Sequence, residues 1–440
     1  MRRTRSQSVG ACLLAIGLVN VKKKLLVAGA TLALVAGMAS TLPSAYAGGT
    51  IKADEDKWIS VGMGIRMSFN GVEYGAADRT SYSNQFVLNN TRIYINGKIH
   101  KYVGFTFNTE CFNCQPTSPF SIGQSPGNVA TGGTGFFGGN STVGMLDAIG
   151  KFEITETVNF WVGRTLVPFD RGELNGPFYH ATFEGFKTPF YPADFSGNIG
   201  SGGAGLFGRD DGVVFFGKVH PGGTHLQYVA SVFTGLQSPT NPGSSLSYAG
   251  RLQWNLLNDE DNPGYYTSGT YYGTAGDILA FALAGQHQKD GAGSALNRSD
   301  FTGLTADVLY EKVLPDNMGV FTFNGEFKRM WAQNAAAFLD AACFCTFSGH
   351  SWTVYGLYLL PNEVGIGKFQ PYARFTSISP QDSINRQEWE GGVNYVIAGH
   401  NARISAFYQY GDLTTTGLNY APGVAGNKAD AFKVALQLQY

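Results

Sequence analysis

The chain has 440 residues, and its composition is rich in glycine and aromatic side chains but poor in charge. Glycine accounts for 59 residues and aromatic side chains for 14%, whereas charged side chains make up only 14%, below the usual quarter. The formal net charge of −1 gives no indication of the basic face that nucleic-acid binding requires. The mean hydropathy of −0.08 is too low for a bundle of membrane-spanning helices.

Residues 1–47 have the pattern of a secretory signal peptide. Lys22–Lys24 form a basic region, and Leu25–Met38 is an apolar run too short for a comfortable transmembrane span. Ala45–Ala47 is a small-x-small cleavage site, so the mature protein is expected to begin with the next residue. A complete signal peptide follows residue 20, which makes Val21 a candidate translation start.

The mature chain, residues 48–440, is dominated by strict alternation of apolar and polar side chains. The leader removes six basic and no acidic residues, which leaves 25 basic against 32 acidic side chains, or −7. In the first alternating segment, Trp58–Phe69, Ile59 and Val61 begin a series of six apolar residues on every second position. A period of two predicts a strand with one apolar and one polar face.

Sixteen segments of this kind follow one another to the end of the chain. They are Trp58–Phe69, Asn90–Ile99, Val103–Glu110, Val143–Ile154, Val158–Thr165, Arg209–Val219, His225–Gly235, Tyr248–Leu257, Ile278–Lys289, Phe301–Glu311, Gly319–Met330, Ser351–Leu360, Phe369–Ser377, Glu388–Ile397, Ala402–Gly411 and Asp430–Tyr440. In the last, Phe432, Val434, Leu436, Leu438 and Tyr440 form the apolar face.

The connections between these segments alternate between long and short, and both ends of the mature chain fall on the short side. This asymmetry predicts an all-β fold, a transmembrane antiparallel β-barrel of about 16 strands with short periplasmic turns and long outer loops. The location implied is the outer membrane of a Gram-negative bacterium, where an open sheet edge in lipid would leave backbone groups unpaired. The alternative is a secreted, β-rich soluble protein.

One connection, Leu257–Asp277, does not fit the alternation. It falls on the short-turn side, yet it is long and begins with Asp259, Glu260 and Asp261. The three acidic residues predict a solvated acidic turn, with a calcium site as the sharper alternative.

Three stretches resemble a known family. Arg92–Lys98, Val162–Phe169 and Arg209–Val213, together with the closing aromatic residue, are similar to members of the phosphate-selective porin (O and P) family. The resemblance implies a homotrimer, a third outer loop folded into the lumen, and passive diffusion of small anions. The chain departs from the family's ladder of unmatched arginines, because its inward positions also carry acids. These acids are Glu110, Asp147, Glu153, Asp307, Glu311, Glu326, Glu388 and Glu390.

The connection Leu166–Gly208 is the candidate pore constriction, because it follows the fifth predicted strand, where porins fold a loop inward. Charges on a narrow rim focus the electric field along a permeation path. The candidate constriction residues are Arg164, Asp170, Arg171, Glu173, Lys187, Arg209, Asp210 and Asp211. The alternative is an outer lid whose charges face water.

A second set of basic residues alternates with apolar neighbours and is therefore expected to line the pore. The set is Arg66, Arg92, Arg251, Arg374, Arg403 and Lys433. Such arginines either select anions or pair with carboxylates across the strands. Because acids are at least as frequent at inward positions, the sequence predicts weak charge selectivity.

The four mature cysteines fall in predicted outer loops, as Cys111-x-x-Cys114 and Cys343-x-Cys345. Exported thiols usually oxidise, which favours disulfides. A four-thiolate metal site is the sharper alternative. Gln115 follows the first pair, so this is not a c-type haem motif. We expect no cofactor and no enzymatic activity, since the sequence has no metalloprotease, nucleophile-elbow or phosphate-loop motif.

The sequence therefore predicts an outer-membrane porin whose water-filled channel passes small hydrophilic solutes and ions with weak charge selectivity. Its expected partners are outer-membrane lipid, the permeating solutes and two further copies in a homotrimer. A substrate-specific phosphate or oxyanion channel is the first alternative. The second is a barrel that acts as a structural surface protein or as a sleeve for a redox partner.

Overall fold

The structure is a computed structural model. It describes residues 49–73, 76, 80–112, 142–185, 208–235, 245–260, 262–293, 296–332, 348–381, 385–411 and 428–440. The predicted leader lies outside these residues, so its cleavage stays a prediction.

Seventeen strands make up most of the described chain. They are β1 (Gly49–Asp54), β2 (Lys57–Val72), β3 (Ser83–His100), β4 (Val103–Phe112), β5 (Thr142–Glu153), β6 (Asn159–Leu166), β7 (Arg209–Val219), β8 (His225–Phe233), β9 (Ser247–Asn255), β10 (Ile278–Gly293), β11 (Arg298–Val313), β12 (Val320–Ala332), β13 (Gly349–Leu359), β14 (Lys368–Pro380), β15 (Arg386–Val396), β16 (Ala402–Gly411) and β17 (Ala429–Gln439).

Strands β2 to β17 form a closed antiparallel barrel. Each pairs with its neighbour in sequence, and the barrel closes where β17 pairs with β2, with Val434 opposite Phe69. This confirms the predicted all-β barrel, and every predicted strand coincides with one of these sixteen. The first strand, β1, was not predicted, and it pairs with the start of β2, with Thr50 opposite Ser60.

The side chains alternate across the barrel wall as the sequence pattern requires. On β9, Arg251 is 2% exposed, whereas the neighbouring Leu252 is 56% exposed. On β17, the Gln437 side chain donates to the carbonyl oxygen of Phe178 inside the barrel, and Leu438 lies on the outside. The polar face therefore surrounds the lumen and the apolar face forms the exterior, the arrangement that lipid on the outside requires.

A short helix, α1 (Arg171–Tyr179), lies in the connection between β6 and β7. It begins where Asp170 accepts a hydrogen bond from the backbone N–H of Glu173 at 2.9 Å, a typical N-cap. Gly176 inside it has a φ of 59°, which interrupts the helical backbone before Pro177. Within the described ranges, no helix is both long and apolar enough to cross a bilayer.

The connection between β9 and β10, residues 256–277, enters the barrel from the short-turn end, and we call it the inner segment. The side chain of Tyr265 is fully buried, and its hydroxyl donates to the carbonyl oxygen of Leu166 at the far end of β6. The predicted solvated acidic turn is therefore wrong for Glu260, which is 2% exposed. Its carboxylate is buried because it pairs with Arg171 of α1 at 2.8 Å.

Candidate permeation path

The third long loop runs inside the barrel from Val167 to Gly185, the last described residue before a gap. Helix α1 approaches the wall at Gly64 of β2, where a β-carbon would lie 2.7 Å from the ring of Phe178. Glycine is therefore required for this close packing. That residues 166–208 form the pore constriction stays a prediction.

Arg171, at the start of α1, is the centre of a buried ionic network. Its guanidinium donates to both carboxylate oxygens of Glu260 at 2.8 Å and to Asp307 of β11 at 2.9 Å. Asp307 also pairs with Arg251 of β9 at 2.6 Å, and Arg251 donates to the carbonyl oxygen of Phe169. The network joins the loop, the inner segment and two strands, so none of these charges faces an open channel.

The neighbouring candidate residues bind β12, the strand next to β11 in the same wall. Asp170 pairs with Lys328 of β12 at 2.7 Å, and the backbone N–H of Gly172 donates to Glu326 on the same strand at 2.9 Å. Both charged side chains of the pair are about 1% exposed. The start of α1 is therefore fixed to two adjacent strands of the wall, by Arg171 to β11 and by Asp170 to β12.

Three arginines that were predicted to line the pore point inward and hold the loop by its backbone. Arg403 donates to the carbonyl oxygens of His180 and Ala181 at 2.9 and 3.1 Å. Arg66 donates to the carbonyl oxygen of Phe183, and Arg374 donates to that of Gly185. The guanidinium groups therefore bind the loop backbone, and Arg374 also forms an ion pair with Glu390.

His180 follows the helix and is surrounded by the same arginines. Its Nε2–H donates to the carbonyl oxygen of Gly172 at 2.7 Å. Burial and the positive charges of Arg66, Arg374 and Arg403 lower the pKa of His180 to about 3. The imidazole is therefore neutral at physiological pH and adds no charge to the lumen.

The other predicted lining residues are also paired. Arg92 of β3 pairs with Glu110 of β4, and Lys433 of β17 pairs with Glu184 of the loop. The prediction that inward arginines pair with neighbouring acids is thus consistent with the contacts of Arg92, Arg251 and Arg374.

The remaining constriction candidates are divided between the inside and the outside. Arg209 faces inward and pairs with Asp147, and Asp210 is buried, where it accepts a hydrogen bond from the backbone N–H of Gly235 at 2.8 Å.

Arg164 and Asp211 pair with each other at 2.9 Å on the outward face. For these two, the lumenal position expected from sequence is wrong, because they continue the face of the exposed Val162 and Val213, two residues along each strand. Glu173 lies in α1, and Lys187 lies outside the described residues.

A cavity of about 390 Å³ lies between α1, the inner segment and the wall formed by β2 to β5. It reaches the short-turn end of the barrel, where Ser60 and Tyr440 border it. Its lining carries both signs of charge and many polar side chains, together with apolar ones such as Ile149, Leu166 and Leu174. It includes Arg92, Tyr94, Asn96, Thr106, Asn108, Asp147, Lys151, Asn175, Tyr179, Arg209, Asn262, Tyr266, Thr267 and Gln439. Of the charged residues predicted at inward positions or in the constriction, Arg92, Asp147 and Arg209 border this space.

Lys151 of β5 also borders the cavity and was missed by the sequence prediction. Its ammonium group lies 4.3 Å from the centroid of the Trp161 ring, a cation–π contact. Lys151 shares the inward parity of Asp147 and Glu153, which were recognised as inward. The same alternation could therefore have identified it.

The structure describes none of the four cysteine side chains of the mature chain. Cys111 belongs to β4, but its side chain and Cys114, Cys343 and Cys345 are outside the described part, so the disulfides stay a prediction. Among the described residues, no group of three or more His, Cys, Asp or Glu side chains is arranged to hold a metal ion.

Comparisons with known proteins match the fold only. The chain is similar in structure to an anion-selective porin from Comamonas acidovorans, at 13% identity over 87% of this chain and 99% of that one, with a TM-score of 0.54. OprB of Pseudomonas putida matches at 12% identity over 87% and 94%, with a TM-score of 0.50. OmpF of Salmonella typhi matches at 10% identity over 89% and 100%, also with 0.50.

No protein-family model and no curated protein matches the sequence. The assignment of the fold therefore rests on the structure. The barrel has an apolar exterior and a polar lumen, and it is closed by the pairing of its first and last strands. The protein is a sixteen-stranded β-barrel of the outer-membrane porin fold, located in the outer membrane of a Gram-negative bacterium.

Proposed function

We propose that this barrel is a channel through which small hydrophilic solutes and ions diffuse passively across the outer membrane. The observation that carries the proposal is the cavity between α1 and the wall of β2 to β5, whose lining includes charged and polar side chains of both signs. Elsewhere in the described lumen, inward side chains such as Gln370, Asn394 and Gln437 are fully buried. Solutes therefore pass along one side of the barrel.

The channel is proposed to have weak charge selectivity. Two cationic side chains that border the cavity are compensated, Arg209 by Asp147 and Arg92 by Glu110. A paired charge contributes little net field to a permeating ion. Lys151, held against the Trp161 ring, adds a modest preference for anions.

Recordings of the purified protein in planar bilayers test this proposal. We expect steady, ohmic conductance, and in asymmetric salt a reversal potential displaced only slightly toward the value for anions. A membrane that stays sealed at all voltages and salt concentrations would contradict the channel function. A reversal potential near the ideal anion or cation limit would contradict weak selectivity while leaving the channel in place.

A substrate-specific oxyanion channel is the second candidate. It is favoured by three cationic side chains, Arg92, Lys151 and Arg209, around a single cavity, and by the resemblance to phosphate-selective porins. This candidate requires millimolar phosphate to block the chloride current, and it requires the Lys151→Gln variant to weaken that block. Phosphate without any effect on the chloride current would end it.

The homotrimer implied by the resemblance is also a proposal. Native mass spectrometry of the protein in detergent is expected to give three times the mass of the mature chain. A mass equal to that of one chain would contradict it.

A further inference from the structure

We infer that the inner segment, residues 256–277, is a second constriction that sets the width of the permeation path from the periplasmic side. The inference rests on the proposed channel function. The other connections at this end that the structure describes are short turns, such as Leu314–Gly319 and Ile397–Asn401. Of the described connections at this end, only the one from β9 to β10 is long enough to enter the lumen, and it does so.

The inner segment is anchored to the wall at several points. The carboxylate of Glu311, inside β11, accepts hydrogen bonds from the backbone N–H groups of Tyr271 and Gly273 at 3.0 and 2.7 Å and from the hydroxyl of Thr270 at 2.8 Å. Near its start, Asp259 pairs with Lys218 of β7 at 2.6 Å. A segment with so many wall contacts has a fixed position in the lumen.

It is equally attached to the third loop. Besides the Glu260–Arg171 pair, the hydroxyl of Thr267 donates to the carbonyl oxygen of Arg171 at 3.1 Å, and the backbone N–H of Gly269 donates to that of Tyr179 at 2.9 Å. A β-carbon at Gly269 would lie 2.6 Å from the backbone nitrogen of Ala181. The inner segment and α1 therefore form one packed block.

This block is one border of the cavity, and the barrel wall is the other. Asn262, Tyr266 and Thr267 of the inner segment border the same space as Tyr94 and Asn96 of β3. The distance between block and wall decides which solutes pass. Removing the inner segment takes away its part of the block, whereas a larger side chain on its cavity side narrows the path.

Two variants with opposite expected effects test the inference. The backbone N–H of Asn258 already donates to the carbonyl oxygen of Asp277 at 3.1 Å, so residues 259–276 can be replaced by an Asn-Gly hairpin turn. Single-channel conductance in potassium chloride is expected to rise by about twofold or more, because conduction follows the open width of the pore. The Asn262→Trp variant is expected to lower it by about half.

The Asn362→Trp variant is the matched control, since Asn362 is exposed in the turn before β14. It is expected to conduct like the wild type. Should the deletion variant fail to fold, the two tryptophan variants decide alone. Wild-type conductance in the deletion variant, or equal conductance in both tryptophan variants, would overturn the inference. A sealed wild type that opens on deletion would refute the proposed function yet support the inner constriction, and a barrel sealed in both forms would refute both.

Discussion

Replacing Arg171 by methionine removes the cation at the centre of the lumen network but keeps a long, unbranched side chain. Asp307 retains its second partner, Arg251, at 2.6 Å. Glu260 keeps only neutral donors, the hydroxyl of Tyr271 at 2.6 Å and the side-chain amide of Gln253 at 3.0 Å. A buried carboxylate without its cation costs about 3–5 kcal/mol, so we expect the free energy of unfolding to fall by that amount.

Arg164→Met is the matched control for this substitution. Arg164 also pairs with a carboxylate at 2.9 Å, but the side chains of Arg164 and Asp211 are 21% and 50% exposed. A pair of this kind contributes about 1 kcal/mol or less. The assay is denaturant unfolding of both variants in the same detergent, followed by tryptophan fluorescence. Equal losses of stability would refute the assignment of Arg171 as the centre of the network.

A double-mutant cycle with Glu260→Gln separates the ion pair from the loss of packing. The Arg171→Met and Glu260→Gln changes should be non-additive, because the second substitution removes the unpaired charge that the first creates. The double variant is expected to be more stable than the Arg171→Met variant. Additive losses would show that the pair itself contributes nothing.

Three further predictions concern selectivity, pH and orientation. Lys151→Gln should lower the anion preference measured by reversal potential, while Lys312→Gln, paired with Asp277 outside the cavity, should leave it unchanged. Between pH 4 and 8, the pH profile of conductance should be the same in His180→Asn as in the wild type, because a pKa of about 3 keeps this imidazole neutral throughout; a profile that differs would contradict it. A spin label at Leu438 should be relaxed by oxygen dissolved in lipid, and one at Gln437 should be protected; the reverse order would contradict the wall orientation.

The sequence was sufficient for the barrel wall because each strand carries its own local signal. Alternation in Trp58–Phe69 requires no knowledge of any partner strand, and the same holds for the last strand. The first strand, Gly49–Asp54, was missed because all six of its residues are exposed, so they show no alternation of buried and exposed side chains. The segment is a strand because its backbone pairs with β2. Local pattern therefore predicts strands that face both lipid and lumen, and it misses a strand outside the barrel.

The contents of the lumen could not be predicted in the same way. Arg171 and Glu260 are separated by 89 positions, and no local pattern relates them. The sequence Asp259–Asp261 has the composition of a solvated turn, and only the position of α1 makes burial of Glu260 favourable. Helix α1 itself contains Gly176 and Pro177, so helical periodicity could not reveal it.

The attachment of residues 180–185 by Arg66, Arg374 and Arg403 has a consequence for how this barrel can diversify. The guanidinium groups bind main-chain oxygens of His180, Ala181, Phe183 and Gly185, and every amino acid supplies such an oxygen. Substitutions in this stretch can therefore change the shape of the lumen without removing the hydrogen bonds that attach its backbone to the wall. A lumen of a different shape can evolve, or be engineered, while residues 180–185 stay attached to the wall through their backbone.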